Sequence, residues 1–244
     1  AMSVCAAGAL AESDNFDDNT TGPEWSVIED NSSALSVVEQ NGRLEVITDG
    51  AAAASDDAIY LSNGSGGFTL PTSSDFVASI DVTLANYDRV GASGDAFALV
   101  FGVGRDAAGT DSAAISVGLA DVGLGVAPSV VEAHRIDNAQ TTNILDSFST
   151  PTTGTLSVTY DSVGDDLTLA YSGGGSFTLE DTVQGVWGAN EVLVSFGGRG
   201  TGFAMNSGDG YFDNFEAEVI PGPATALLAL PMVVALRRGR GRDA

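Results

Sequence analysis

The sequence predicts an all-β fold, a two-sheet antiparallel sandwich, with a short apolar helix at the C-terminal end. Three observations carry that reading. The 244-residue chain holds 31 glycines and 43% hydrophobic residues, a composition that supplies both tight turns and a sizeable core. Apolar residues recur with period two in short runs, separated by Gly, Asn, Asp and Ser. No segment of the body shows the 3.6-residue apolar period of an amphipathic helix.

The runs follow in order along the chain. Trp25 opens a short apolar segment and is expected in the core. Leu35–Glu39 leads through Asn41-Gly42, a favoured two-residue hairpin turn, into Arg43–Thr48. Phe76–Leu84 alternates cleanly, with Phe76, Ala78, Ile80, Val82 and Leu84 on one face. Further strands are predicted at Asp95–Gly102, Ala113–Leu119, Ser129–Ile136, Gly154–Tyr160, Leu167–Tyr171, Ser176–Thr182, Glu191–Gly197 and Gly210–Val219. The acidic stretch Asp161–Asp166 reads as a hairpin loop between two of them. Strands spaced this way, with no helix between, argue for two packed antiparallel sheets.

Charge excludes one class of partner. The net charge is −24, and all nine basic residues are arginine. Residues 1–236 carry −27, while the last eight residues carry +3. Such an acidic body repels phosphate backbones and anionic membrane surfaces, so nucleic acid is not a partner. It also attracts divalent cations.

The two ends read as targeting segments. Residues 1–11 look like the remnant of a secretory signal peptide, with Ala9-Leu10-Ala11 as a small-x-small cleavage pattern. The single cysteine, Cys5, falls within it, which excludes an internal disulfide framework. Residues 12–219 form the β body, and residues 220–244 a tail in three parts. Pro221-Gly222-Pro223-Ala224 is a rigid step, an uncharged apolar run reaches to Leu236, and Arg237, Arg238, Arg240 and Arg242 close the chain. The apolar run from Ala224 to Leu236 is 13 residues, short of the ~20 that cross a bilayer core. The arginine cluster would stay on the cytoplasmic side and leave the body outside.

This order of Pro-x-Pro-Ala, apolar run and terminal arginines resembles the PEP-CTERM sorting tail of exported bacterial proteins. The resemblance implies an exosortase-type membrane protease as partner, contact with the membrane only through the tail, and a place at the cell surface, outer envelope or extracellular matrix. Gly222 stands where that family carries its glutamate.

The body has a resemblance of its own. Ser13–Asn19, Glu24–Val27 and Asn41–Leu44 look like the opening of concanavalin A-like lectin/glucanase (laminin G-like) domains. Asp95–Gly102 resembles their central inner strand, and Tyr211–Val219 their closing strand, which pairs near the opening one. The resemblance implies a jelly-roll sandwich and a structural Ca2+ where the termini meet, with Asp14, Asn15, Asp17 and Asp213 as ligands. Asx-turns at strand ends account for the same residues without a metal.

Catalysis is not expected. Glucanases of this superfamily carry alternating acidic residues on one strand, and glycoside hydrolysis needs a facing carboxyl pair. The nearest set, Asp213, Glu216 and Glu218, puts its two glutamates on the solvent side of a strand. His134 is the only histidine and has no Gly-x-Ser-x-Gly partner in the chain. The glycine-rich Gly197–Gly202 lacks the Lys and Ser/Thr of a phosphate loop and reads as a β-loop.

Sugar binding needs an exposed ring beside amide or carboxylate groups. Tyr87 with Asp88, and Trp187 with Asn190, meet that description in two loops, although packing in the core is the better explanation of Trp187. The leading expectation is an exported, non-enzymatic surface protein whose lectin-like domain binds extracellular polysaccharide. A purely structural envelope or matrix component is the second reading, and a glycoside hydrolase-like enzyme the third.

Overall fold

The computed structural model describes residues 11–30, 34–48, 57–63, 67–85, 88–89, 96–106, 111–120, 129–137, 140–149, 153–173, 177–184 and 188–221. The leader up to Leu10 and the tail from Gly222 onward, with its expected helix, lie outside those residues. Chain order gives β1 (Ala11–Asp14), β2 (Ser26–Asp30), β3 (Leu35–Gln40), β4 (Arg43–Thr48), β5 (Asp57–Ser62) and β6 (Leu70–Pro71). Next come β7 (Asp75–Leu84), β8 (Asp88–Arg89), β9 (Ala96–Gly104), β10 (Ser112–Ala120), β11 (Ser129–Asp137) and β12 (Gln140–Ser149). The last are β13 (Thr153–Asp161), β14 (Asp166–Gly173), β15 (Phe177–Gln184), β16 (Glu191–Thr201), β17 (Phe203–Ala204) and β18 (Gly210–Ile220).

Two antiparallel sheets hold almost all of them. The first runs β15-β14-β13-β7-β18-β4-β3, with β1 also paired to β18. The second runs β12-β11-β10-β9-β16-β5-β2, with β6 joined to β16. β17 and β8 form a separate two-stranded ribbon. The opening and closing strands do meet: Asp14 is opposite Phe215, and Glu12 opposite Ala217.

Alternation explains which face each strand buries. On β7 the residues Phe76, Ala78, Ile80, Val82 and Leu84 are all buried, and their neighbours are half-exposed. β18 breaks strict alternation at a bulge between Asp213 and Glu216, where Asn214 takes a φ of +48°. The bulge lets Phe212 and Phe215, three residues apart, both point inward. Between the sheets, Trp25 packs edge-on against Phe196 at 4.7 Å and Phe215 at 5.1 Å between ring centroids. Phe16 and Phe212 also flank Phe196, at 5.8 and 5.7 Å. One aromatic cluster thus ties the β1–β2 connection, β16 and β18 together.

The Asn41-Gly42 turn adopts the expected left-handed pair, with φ of +58° and +70°. Beside it Glu45 is fully buried and collects Arg43 Nε at 2.8 Å, Gln40 Nε2 at 2.8 Å, Asn41 Nδ2 at 3.2 Å and the Gly208 amide at 3.2 Å. The Arg43 guanidinium lies 4.0 Å over the Tyr211 ring. Burial works against the Glu45 charge, but hydrogen bonds from Ser207, Arg43, Asn41 and Gln40 outweigh it, so its carboxyl sits below the ordinary value. This knot pins the β3–β4 hairpin to the loop before β18. Removing it by Glu45→Ala leaves Arg43 unpaired, and urea denaturation should show a loss of about 3 kcal/mol. A depressed folded pKa stabilises above the unfolded value, so wild-type stability falls as pH drops through the carboxylate range. The Glu45→Ala protein should lack that component of the acid slope.

Candidate functional site

The outer face of the second sheet carries a groove of about 430 Å³ that crosses β2, β5, β16, β9, β10 and β11. Strand register lays out the sheet face around it, and of the next two rungs Ile28, Tyr60, Val100, Ser62, Ser195, Gly102, Ala114 and His134 line the groove. One rung reads Ile28, Tyr60, Gly197, Val100, Ser116 and Glu132 across neighbouring strands. The next reads Ser26, Ser62, Ser195, Gly102, Ala114 and His134. The sheet residues that face inward on these same strands are Ile59, Leu61, Phe101, Ile115, Val194 and Phe196, all core. Period-two alternation therefore splits the sheet into an apolar inner side and a groove of small and polar residues.

Small residues make the groove possible. A Cβ on Gly102 would run into Ala113 O and the Ala114 side chain. A Cβ on Gly197 would meet Ile59 O and lie 2.9 Å from Tyr60 Cδ1, so glycine lets the Tyr60 ring lean across β16. Ser62 Oγ is buried without a hydrogen-bond partner and belongs to the groove lining.

His134 and Arg199 both line the groove. Burial first, and the Arg199 charge second, push the His134 imidazole below its ordinary value. Near neutral pH the ring is uncharged, with one nitrogen donating and the other accepting. His134 sits on an inner strand, since β12 pairs along its far side. Asp106 is the only carboxylate among the described lining residues, and its Oδ2 lies 3.9 Å from Arg105 Nη2.

Two of the four loop residues expected to hold sugar, Asp88 and Asn190, are described. Tyr87 and Trp187 lie outside the described residues. Asp88 has its backbone in β8, opposite Ala204 beyond the end of β16. Asn190 is exposed just before the start of β16, and its carbonyl accepts the Thr72 amide at 3.0 Å. The 11 residues of β16 separate these two positions, roughly 35 Å of strand. They do not form one site. Of the sorting motif, only Pro221 is described, exposed immediately after β18; Gly222, Pro223, Ala224, Arg237, Arg238 and Arg240 fall outside.

The expected calcium ligands each carry local hydrogen bonds. Asp14 accepts the Phe16 amide at 2.9 Å on one oxygen and the Trp25 indole at 2.8 Å on the other. Asn15 donates to Asp17 at 2.9 Å. Asp213 accepts the Asn214 amide at 2.8 Å and stands opposite Asp81 in the first sheet. Burial first, then Asp81 and Asp17 among nearby charges, raises its carboxyl. Among the described residues no three His, Cys, Asp or Glu side chains are gathered to hold an ion.

No protein-family model and no curated protein matches the chain. Solved structures do match. A CBM2 module from the evolved Dit of Lactobacillus casei BL23 phage J-1 superposes with a TM-score of 0.59 at 14% identity, covering 88% of this chain and 98% of that one. Winged bean acidic lectin, solved with methyl-α-D-galactose, gives 0.54 at 8% identity, over 86% and 98%. Peanut lectin, solved with a nine-residue peptide, gives 0.53 at 11% identity, over 88% and 100%. The fold is a lectin-type jelly roll. At these identities the likeness extends to the concanavalin A-like architecture and no further.

Sequence reasoning named none of the groove residues except His134. The available signal was the alternation in Asp57–Ser62, where Ile59 and Leu61 are core and Tyr60 and Ser62 face out. NMR titration should place the His134 midpoint below about 6.5, and Arg199→Gln should move it upward by removing the neighbouring positive charge.

Proposed function

We propose that this chain is an exported, non-catalytic module that binds extracellular saccharide in the groove on the second sheet. The observation that carries the proposal is the groove's composition: Tyr60, Ser62, Ser195, His134 and Arg199 along its lining, with glycine and alanine between them. An aromatic ring offers a stacking face to a sugar's C–H surface, and fixed hydroxyl, imidazole and guanidinium groups meet its hydroxyls. The volume is in the range of small-molecule sites. The described lining holds one carboxylate, Asp106, where glycoside hydrolysis uses a facing pair.

Retention on neutral and uronate polysaccharides tests the reading. Tyr60→Ala should weaken binding about tenfold, about 1.4 kcal/mol, with the fold intact by circular dichroism. Loss with Trp187→Ala and not with Tyr60→Ala would move the site to the 185–190 loop. No retention on any glycan would favour a structural envelope component.

Export and surface placement rest on the two ends of the chain. The arginine-terminated apolar tail and the acidic body divide charge as expected for a protein held outside through its C-terminus. Deleting residues 222–244 from the full chain should abolish processing and surface retention in fractionated cells. A truncated protein that fractionates like the intact one would remove the sorting role.

A further inference from the structure

The first sheet ends at β3, and one residue there breaks the pattern of its inner face. Glu39 is opposite Leu44, a fully buried core residue, and Leu35 is buried on the same side of β3. A glutamate therefore occupies a core-facing position. It is 6% exposed, and its Oε2 has no hydrogen-bond partner.

The surroundings are acidic. β18 pairs with β4 through Tyr211 and Phe212 and with β1 from Phe215 onward, so β1 and β4 follow each other along one edge. The chain leaving β1 at Asp14 thus arrives beside the end of β3. Asp18 comes within hydrogen-bonding reach of Glu39, and the Thr20 amide approaches Glu39 as well. Asp18 Oδ1 accepts the Thr20 amide at 2.8 Å. Burial is the largest influence on Glu39 and raises its carboxyl; the Thr20 amide opposes this, and Asp18 and Asp14 add to it. Leaving a carboxylate oxygen buried and unpaired costs several kcal/mol, and two carboxyls in contact repel when both are ionised.

We propose that Glu39 and Asp18 form a site for a hard divalent cation, calcium foremost, which ties the loop after β1 to the inner edge of β3. Two carboxylates neutralise the ion, and backbone carbonyls and water complete the oxygen set that calcium takes. Asp14 is a positioning residue here, since both its oxygens are engaged by Phe16 and Trp25. The site differs from the set of Asp14, Asn15, Asp17 and Asp213, and it stands independently of the saccharide groove.

Terbium is the probe, because it mimics calcium and emits when a nearby indole is excited. Trp25 qualifies as the antenna, bonded at 2.8 Å to Asp14 four residues before Asp18. Full-length protein should sensitise Tb3+ emission, calcium should displace it, and calcium should raise the melting temperature relative to chelator. Glu39→Gln and Asp18→Asn should each weaken Tb3+ binding at least tenfold while circular dichroism stays native. Asp213→Asn and Trp187→Phe should leave the emission unchanged. Equal Tb3+ affinity in Glu39→Gln would overturn the assignment. So would a melting temperature that ignores calcium and falls as pH rises through the carboxylate range, because the pair would then be sharing a proton.

Discussion

The aromatic contact between Trp25, Phe196 and Phe215 is the constraint on which the rest of the molecule rests. Trp25 leads into β2 of the second sheet, Phe196 belongs to β16 of the same sheet, and Phe215 to β18 of the first. Edge-to-face rings at about 5 Å combine a large buried area with a preferred mutual angle. They therefore fix both the distance between the sheets and their relative placement. The indole N–H needs a partner once buried, and Asp14 provides it at 2.8 Å. That bond in turn holds the end of β1, and the Phe16 amide caps the other Asp14 oxygen. With both chain ends of the body locked to one cluster, the outer faces of the sheets are free to vary.

Much of the fold was legible because burial on one side imposes period two. β7 could be read from Phe76, Ala78, Ile80, Val82 and Leu84 alone, and the structure buries all five. Asn41-Gly42 announced its hairpin because positive φ at two consecutive residues excludes most side chains. β18 was readable in outline, with Glu216 and Glu218 exposed and Phe215, Ala217 and Val219 buried. Other strands were not, β12 and β5 among them. β12, with the sequence Gln-Thr-Thr-Asn-Ile-Leu-Asp-Ser-Phe-Ser, lies at a sheet edge, where polar residues protect against unwanted pairing and blur the alternation. β5 is short and follows a run of alanines and aspartates that resembles a loop.

The site was less legible than the fold for a reason of geometry. The groove takes residues from six strands, brought together by hydrogen-bonded register across segments far apart in the chain. Tyr60 and His134 belong to β5 and β11, which no local spacing connects. Sequence reading favours clusters such as Tyr87 with Asp88 or Trp187 with Asn190, because neighbours in the chain are visible there. Glu39 was hidden by the same limitation. As a charged residue in an edge strand it looks solvated, until pairing with Leu44 shows that it faces inward.

Glu39 and Glu45 show how one kind of residue is treated in opposite ways a few positions apart. Glu45 is buried against Arg43, two amide side chains and a backbone N–H, so four donors meet one carboxylate and its charged form is favoured. Glu39 is buried beside Asp18 and Asp14, and its free oxygen has no donor. Both positions help to fasten a loop to the β3–β4 hairpin, Glu45 the loop before β18 and Glu39 the loop after β1. A donor set can do this in the first case because Arg43 belongs to the hairpin itself. In the second the loop brings a carboxyl and one backbone amide, so the positive charge has to be supplied by a cation or a proton. A chain without lysine, carrying −27 over residues 1–236, has few side chains to spare for that task. Binding an ion from the surroundings is the physical alternative to evolving an internal one.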